Sequence, residues 1–239
     1  MSTRPHRIAV RSTEATEHLR ESAREAIAEV KPRLRGMLHA ATAPFTLAAG
    51  IVLIVLSPTA ASRVGSSIFA FSAIMLFTVS AIYHRGSWSL RMWEFLRRFD
   101  HANIFLLIAG SYTPLTMLLL EGTERTVLLT VVWVGAGLGV LFRIFWIDAP
   151  RWLYVPIYMS LGWASVFFAA DFLRAGGVAV VALMAAGGLL YTLGGVVYGL
   201  KRPNPFPTWY GFHEVFHTLT IAAFITHYVG VSIATYSLA

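Results

Sequence analysis

Residues 64–84 read VGSSIFAFSAIMLFTVSAIYH, and this stretch decides the fold. Its 21 residues include no Asp, Glu, Lys or Arg, and it closes on His84. At about 1.5 Å per residue such a helix is about 31 Å long. The hydrocarbon core of a bilayer is about 30 Å thick and takes about 20 mostly apolar residues to cross. Working outward, comparable runs cover residues 39–56, 100–120, 126–146, 152–172, 178–200 and 212–237, each separated from the next by a charge or a Gly/Pro break. The expectation is an all-α membrane protein, a bundle of seven transmembrane helices. It has two parts: a charged, helical arm over residues 1–35 and a transmembrane domain over residues 36–239.

The composition agrees. The chain of 239 residues is 56% hydrophobic and 13% charged, against roughly 45–50% and 25% in a soluble domain. Thirteen of its 31 charged residues lie in the first 35 positions. There is no cysteine, which excludes disulfides, thiolate metal sites and thiol redox chemistry. A net charge of +7 fits cytoplasmic loops against anionic lipid, and no nucleic-acid partner is expected. With the N-terminus inside, sixteen of the nineteen Lys and Arg fall on the cytoplasmic side. The positive-inside rule therefore puts the N-terminus in the cytoplasm and the C-terminus outside, in the plasma (inner) membrane as a multi-pass protein. The segment from Thr13 to Val30 reads as a helix, either lying on the membrane surface or forming a solvated arm, and is too charged for a signal peptide. Gly135/Gly139 and Gly195/Gly199 have GxxxG spacing, read here as close helix packing.

Titratable groups at membrane depth are costly and mark function. In this topology Ser80 and His84 sit at the inner end of the second helix, Asp100 and His101 at the inner end of the third, and His213, Glu214 and His217 at the inner end of the seventh. His39 opens the first helix on the same side. His213 and His217 are four residues apart and so share one helix face, a spacing that gives two nitrogen ligands to zinc. His84 is the candidate third ligand, with Ser80 one turn before it and Asp100 available to hold a water or take its proton. A lone interfacial histidine is ordinarily just that, so His6, His18 and His227 receive no role. His101 points away from Asp100 around the helix, His39 is balanced between site neighbour and interfacial residue, and Asp171 beside Arg174 reads as a surface charge.

His213-Glu214-Val215-Phe216-His217 also fits H-E-x-x-H, in which Glu is the general base of a metalloprotease. That reading, an intramembrane protease, leaves Ser80, His84 and Asp100 without a task.

The set Ser80-x-x-x-His84, Asp100 and His213-x-x-x-His217 resembles the hemolysin III family. This is the bacterial branch of the progestin and adipoQ receptor group, within a superfamily that includes alkaline ceramidases. Ala109 to Pro114, and the run from Tyr198-Gly199 through Pro203 to His213, are similar too. The resemblance implies zinc (Zn2+) on His84, His213 and His217 near the cytoplasmic face, with Ser80 and Asp100 as its polar partners. It also implies hydrolysis of a lipid amide. One position departs: where the family often has Asn four residues before the first-helix histidine, this chain has Arg35.

The leading expectation is thus a zinc-dependent hydrolase of a lipid or lipid-like amide or ester, with Asp100 and Ser80 as catalytic groups and a membrane lipid as substrate or ligand. The alternative is a membrane sensor or regulator with structural zinc. A cytolysin or channel is weaker, because the charged residues form one layer and not a file across the membrane. The sequence names no protein partner.

Overall fold

The computed structural model describes residues 32–237, so the expected N-terminal arm, with its Thr13–Val30 helix, lies outside the described residues. Among these residues the chain is helical: α1 (Met37–Val55), α2 (Ala60–Arg85), α3 (Leu90–Leu119), α4 (Gly122–Phe145), α5 (Arg151–Gly162), a 3₁₀ segment (Ala164–Phe168), α6 (Ala169–Leu200) and α7 (Phe212–Tyr236). The chain is an all-helical membrane protein. Among the described residues six stretches are long and apolar enough to cross a bilayer; five match α1, α2, α3, α4 and α7, and the sixth is the 50-residue stretch Arg151–Leu200. Large apolar side chains face outward, including Phe45, Phe71, Phe167 and Val178, as a hydrocarbon surround requires.

That 50-residue stretch is where two separate spans were expected, over residues 152–172 and 178–200. It doubles back on itself. Arg151 Nη1 donates to the Tyr198 carbonyl at 3.3 Å, and Trp163 Nε1 donates to Thr192 Oγ1 at 3.0 Å, an antiparallel register. The turn is at Gly177, whose φ of 72° and ψ of 176° lie outside the helical region. Glycine holds a positive φ without the Cβ penalty of other residues. The sequence signal, two glycines between apolar runs, located this break. It did not reveal the second interruption, the 3₁₀ segment inside the first run. There Tyr112 in α3 donates from its hydroxyl to the Gly162 carbonyl at 2.6 Å and accepts from the Ser165 N–H at 3.0 Å. A partner on another helix thus satisfies the backbone groups the break sets free, the condition for irregular backbone at membrane depth.

α3 also differs from expectation. It begins at Leu90, not near Asp100. Residues 90–99 are good helix formers without Gly or Pro, and the hydropathy limit of a span need not be the end of its helix. The extension is useful to its neighbours. Arg97 pairs with Asp148 at 2.9 Å, and Arg98 Nε donates to the Ile144 carbonyl at 3.2 Å, filling an orphan acceptor at the end of α4. Asp100 therefore sits in the third turn of a helix.

α3 is the central element, packed against α2, α4, α5, α6 and α7, while α7 returns to α1, α2 and α3 and closes the bundle. The GxxxG glycines work as packing surfaces: a Cβ at Gly139 would lie 2.2 Å from the Phe105 ring of α3.

Replacing Tyr112 by Phe removes both hydroxyl contacts and leaves part-buried backbone groups without this partner. Unfolding of the detergent-solubilised protein should show a loss of about 1–3 kcal/mol.

Candidate metal centre

The polar residues singled out in the sequence come from four helices but meet at one end of the bundle. His39 lies in the first turn of α1, Ser80 and His84 in the last two turns of α2, Asp100 in the third turn of α3, and His213 and His217 in the first two turns of α7. Adjacent helices run antiparallel, so the start of α1, α3 and α7 and the end of α2 share a level. His39, Ser80, His84 and His217 are buried.

The ligand atoms of His84, His213 and His217 lie within 4.8 Å of one another, and His213 Nε2 is 3.2 Å from His84 Nε2. Tetrahedral zinc with Zn–N of about 2.0–2.1 Å sets its nitrogen ligands about 3.3–3.4 Å apart, so this pair is spaced as two corners of such a site. The three imidazoles fit one divalent cation with a fourth position left for another ligand. His217 Nδ1 is buried without a hydrogen-bond partner among the described residues. Asp100 Oδ2 stands 3.7 Å from His84 Nε2, and Ser80 is close enough for its hydroxyl to interact with that carboxylate. All five residues named from the sequence are brought together.

His39 is a neighbour of this cluster. Its ring stacks on His217 with centroids 3.7 Å apart and an interplanar angle of 13°, and makes a T-shaped contact with Phe77 with centroids 5.0 Å apart. His101 is turned aside, with Nδ1 2.7 Å from the Arg97 carbonyl and Nε2 3.4 Å from the Tyr198 hydroxyl. Asp171 pairs with Arg174 three residues on, a local surface pair as expected.

Glu214 decides the H-E-x-x-H alternative. Its fully buried side chain accepts from the Gly211 N–H at 2.8 Å through Oε2 and from Arg35 Nε through Oε1. Both oxygens are engaged away from the histidines. Glu214 is the third residue of α7 and closes over the helix start, as the Glu of a capping box does; that spacing from Gly211 was the available sequence signal. The partner Arg35, 179 positions away, had none.

From the cluster a cavity of about 190 Å³ runs into the bundle between α3, α5, α6 and α7. His39, Ser80, Asp100, His213 and His217 line one end, and His227 lies in its wall, 14 residues or about 21 Å further along α7. Most of the remaining lining is apolar, including Ile104, Ile108, Leu115, Phe172 and Val181. Trp163 and Val166, exposed on the bundle's outer surface, also line it. The cavity lining therefore includes outward-facing residues of the α5–3₁₀ interruption. His227, given no role from sequence, packs edge-on to Tyr191 at 5.5 Å.

A family model described as haemolysin-III related matches residues 27–228. The hemolysin-3 homolog of Bacillus subtilis (strain 168) is 31% identical over 150 residues, 62% of this chain and 70% of that protein. Hemolysin-3 of Bacillus cereus is 26% identical over 186 residues, 77% of this chain and 82% of that one. The adiponectin receptor protein of Drosophila melanogaster is 29% identical over 181 residues, 69% of this chain but 41% of the receptor.

Metal analysis of purified protein should find about one zinc per chain, lost in His84→Ala and in the His213→Ala/His217→Ala pair. His39→Phe, which keeps a ring against His217, should retain it.

Proposed function

This chain belongs to the haemolysin-III related family, and on that footing we propose that it is a zinc-dependent membrane hydrolase acting on a lipid or lipid-like amide or ester. The observation that carries the reading is a three-histidine cluster, with a carboxylate beside it, at one end of a mostly apolar cavity whose lining includes outward-facing residues. A pocket that is mostly apolar with a few convergent polar groups is the usual form of a small-molecule site. Three histidines with an open fourth position are the pattern of catalytic zinc, and zinc, when bound, polarises a carbonyl and makes water a better nucleophile near neutral pH.

The chain's own residues supply the rest. His84, His213 and His217 would hold the metal. The Asp100 carboxylate, 3.7 Å from His84 Nε2, is placed to orient a water and accept its proton, and the Ser80 hydroxyl steadies the carboxylate. An aliphatic chain of the substrate would occupy the cavity, entering sideways past Trp163 and Val166, with its polar linkage at the histidines. Water is excluded along the apolar walls, which strengthens the electrostatic contacts at the linkage.

The same reading includes the topology. With Arg151–Leu200 counted as two passes, the chain crosses seven times, the N-terminus is cytoplasmic and the histidine cluster is near the cytoplasmic face of the plasma membrane. The basic-residue bias supports this orientation. The native chain has no cysteine, so single cysteines report it cleanly. In intact cells an impermeant maleimide should label Thr123→Cys and leave Ser87→Cys untouched; the reverse pattern would invert the topology.

Asp100→Asn should retain zinc and lower hydrolysis of a lipid amide by roughly 10²–10⁴-fold, the usual worth of a general base. If wild type and variant show equal turnover, Asp100 has no such role. If neither turns over any lipid amide or ester, and zinc removal lowers the melting temperature, the metal is structural and the sensor reading takes its place.

A further inference from the structure

Residues 32–36 cross the end of the bundle that carries the histidines and are fastened to it along their length. The Arg33 and Leu34 N–H groups donate to the Thr208 and Trp209 carbonyls at 3.0 and 3.2 Å. The Arg33 guanidinium lies over the Trp209 ring, 4.5 Å from its centroid. Gly36 takes a φ of 76°, and a Cβ there would stand 2.6 Å from the His84 Cβ. Its backbone is therefore pressed directly against one of the three clustered histidines. Between these anchors Arg35 reaches into the bundle and pairs with Glu214.

That pair has an unusual location. Glu214 is completely buried and lies between His213 and His217 on α7. Its second oxygen holds the Gly211 N–H at the helix start. The carboxylate thus ties together the first turn of α7, and Arg35 is the one cation bonded to it among the described residues. A buried carboxylate that loses its partner cannot stay as it is. It must turn toward water or toward another donor, and here it would draw the first turn of α7 with it. His213 is one residue before it and His217 less than one turn after it.

Resting on the zinc reading above, we infer that Arg35 is a positioning residue for the metal centre. By holding Glu214 it sets the rotation of the first turn of α7, and so the aim of His213 and His217 at His84. Arg35 lies within electrostatic reach of His213 and His217, but it does not line the cavity, and its side-chain bond is to Glu214, through which it positions the histidines. The neighbouring Gly36–His84 contact makes the same short segment the support for the histidine of α2. One strap therefore registers the two helices whose histidines converge. Groups that orient metal ligands without touching the metal typically change its affinity by roughly 10–100-fold when removed.

The test compares full-length wild type with Arg35→Ala, Arg35→Lys and Arg35→Gln in detergent. Zinc affinity is read by chelator competition, the ligand field by the visible spectrum of the cobalt(II)-loaded protein, and folding by melting of the metal-free form. Arg35→Ala should weaken zinc by roughly 10–100-fold and shift the cobalt bands at saturation; a merely structural role would lower melting and leave the saturated spectrum alone. Lys should recover part of the affinity, and Gln less. If Ala fails to fold, the order wild type, Lys, Gln carries the same comparison. Wild-type affinity and spectrum in all folded variants would overturn the positioning role while leaving the zinc site standing. A wild type that binds neither metal would overturn both.

Discussion

Inside hydrocarbon there is no water to satisfy a polar group, and every feature of this structure answers to that constraint. The backbone answers it by staying helical over almost the whole of the described chain. Where it leaves the helix at membrane depth, as between α5 and α6, the hydroxyl of Tyr112 supplies the missing partner from α3. The helix ends answer it too: Arg98 closes an open carbonyl of α4, and Glu214 closes an open N–H at the start of α7. The apolar faces then need only shape to pack, which small residues such as Gly139 provide.

The same constraint explains why the histidines cluster. A polar side chain that cannot reach water must find other polar side chains, and the antiparallel bundle gathers those of α1, α2, α3 and α7 at one end. His84, His213 and His217 face inward with their nitrogens turned to each other. Three imidazoles whose ligand atoms lie this close together are an arrangement that a cation can complete. Around them the contacts are graded. Asp100 and Ser80 stand next to the cluster, His39 backs His217 by stacking, and Arg35 fixes the turn from which His213 and His217 project. Beyond, the cavity lining turns apolar within a few residues, so the polar cluster and an apolar wall share one continuous space.

The relatives place these features in context without supplying the chemistry. Proteins named hemolysin-3 and adiponectin receptor protein each match well over half of this chain, so differently named proteins resemble it over much of its length. The pairing of Arg35 with Glu214 is read from this chain's structure alone. It also shows why a short motif is a poor guide: His213 to His217 spell a protease signature, yet the glutamate within it serves a helix start and an ion pair.

Much of this was legible in the chain as written. Runs of apolar residues of bilayer length can only be helices in a membrane, since no other open backbone satisfies itself there, and periodicity within one helix puts His213 with His217 and Ser80 with His84. The expected helix boundaries held where Gly, Pro or a capping residue stops a helix physically. They failed at the starts of α2, α3 and α4, which precede the apolar runs by four, ten and four residues, because a helix can begin before its apolar stretch does. Contacts between distant segments were beyond any local rule. The stacking of His39 on His217, the bond from Arg35 to Glu214, the Tyr112 bridge over the 3₁₀ segment and the cavity lined in part by His227 all join residues 50 to 179 positions apart or depend on several helices at once. Local spacing sets which face of a helix a side chain occupies; which other face it meets depends on how the helices pack, and that is a property of the folded bundle.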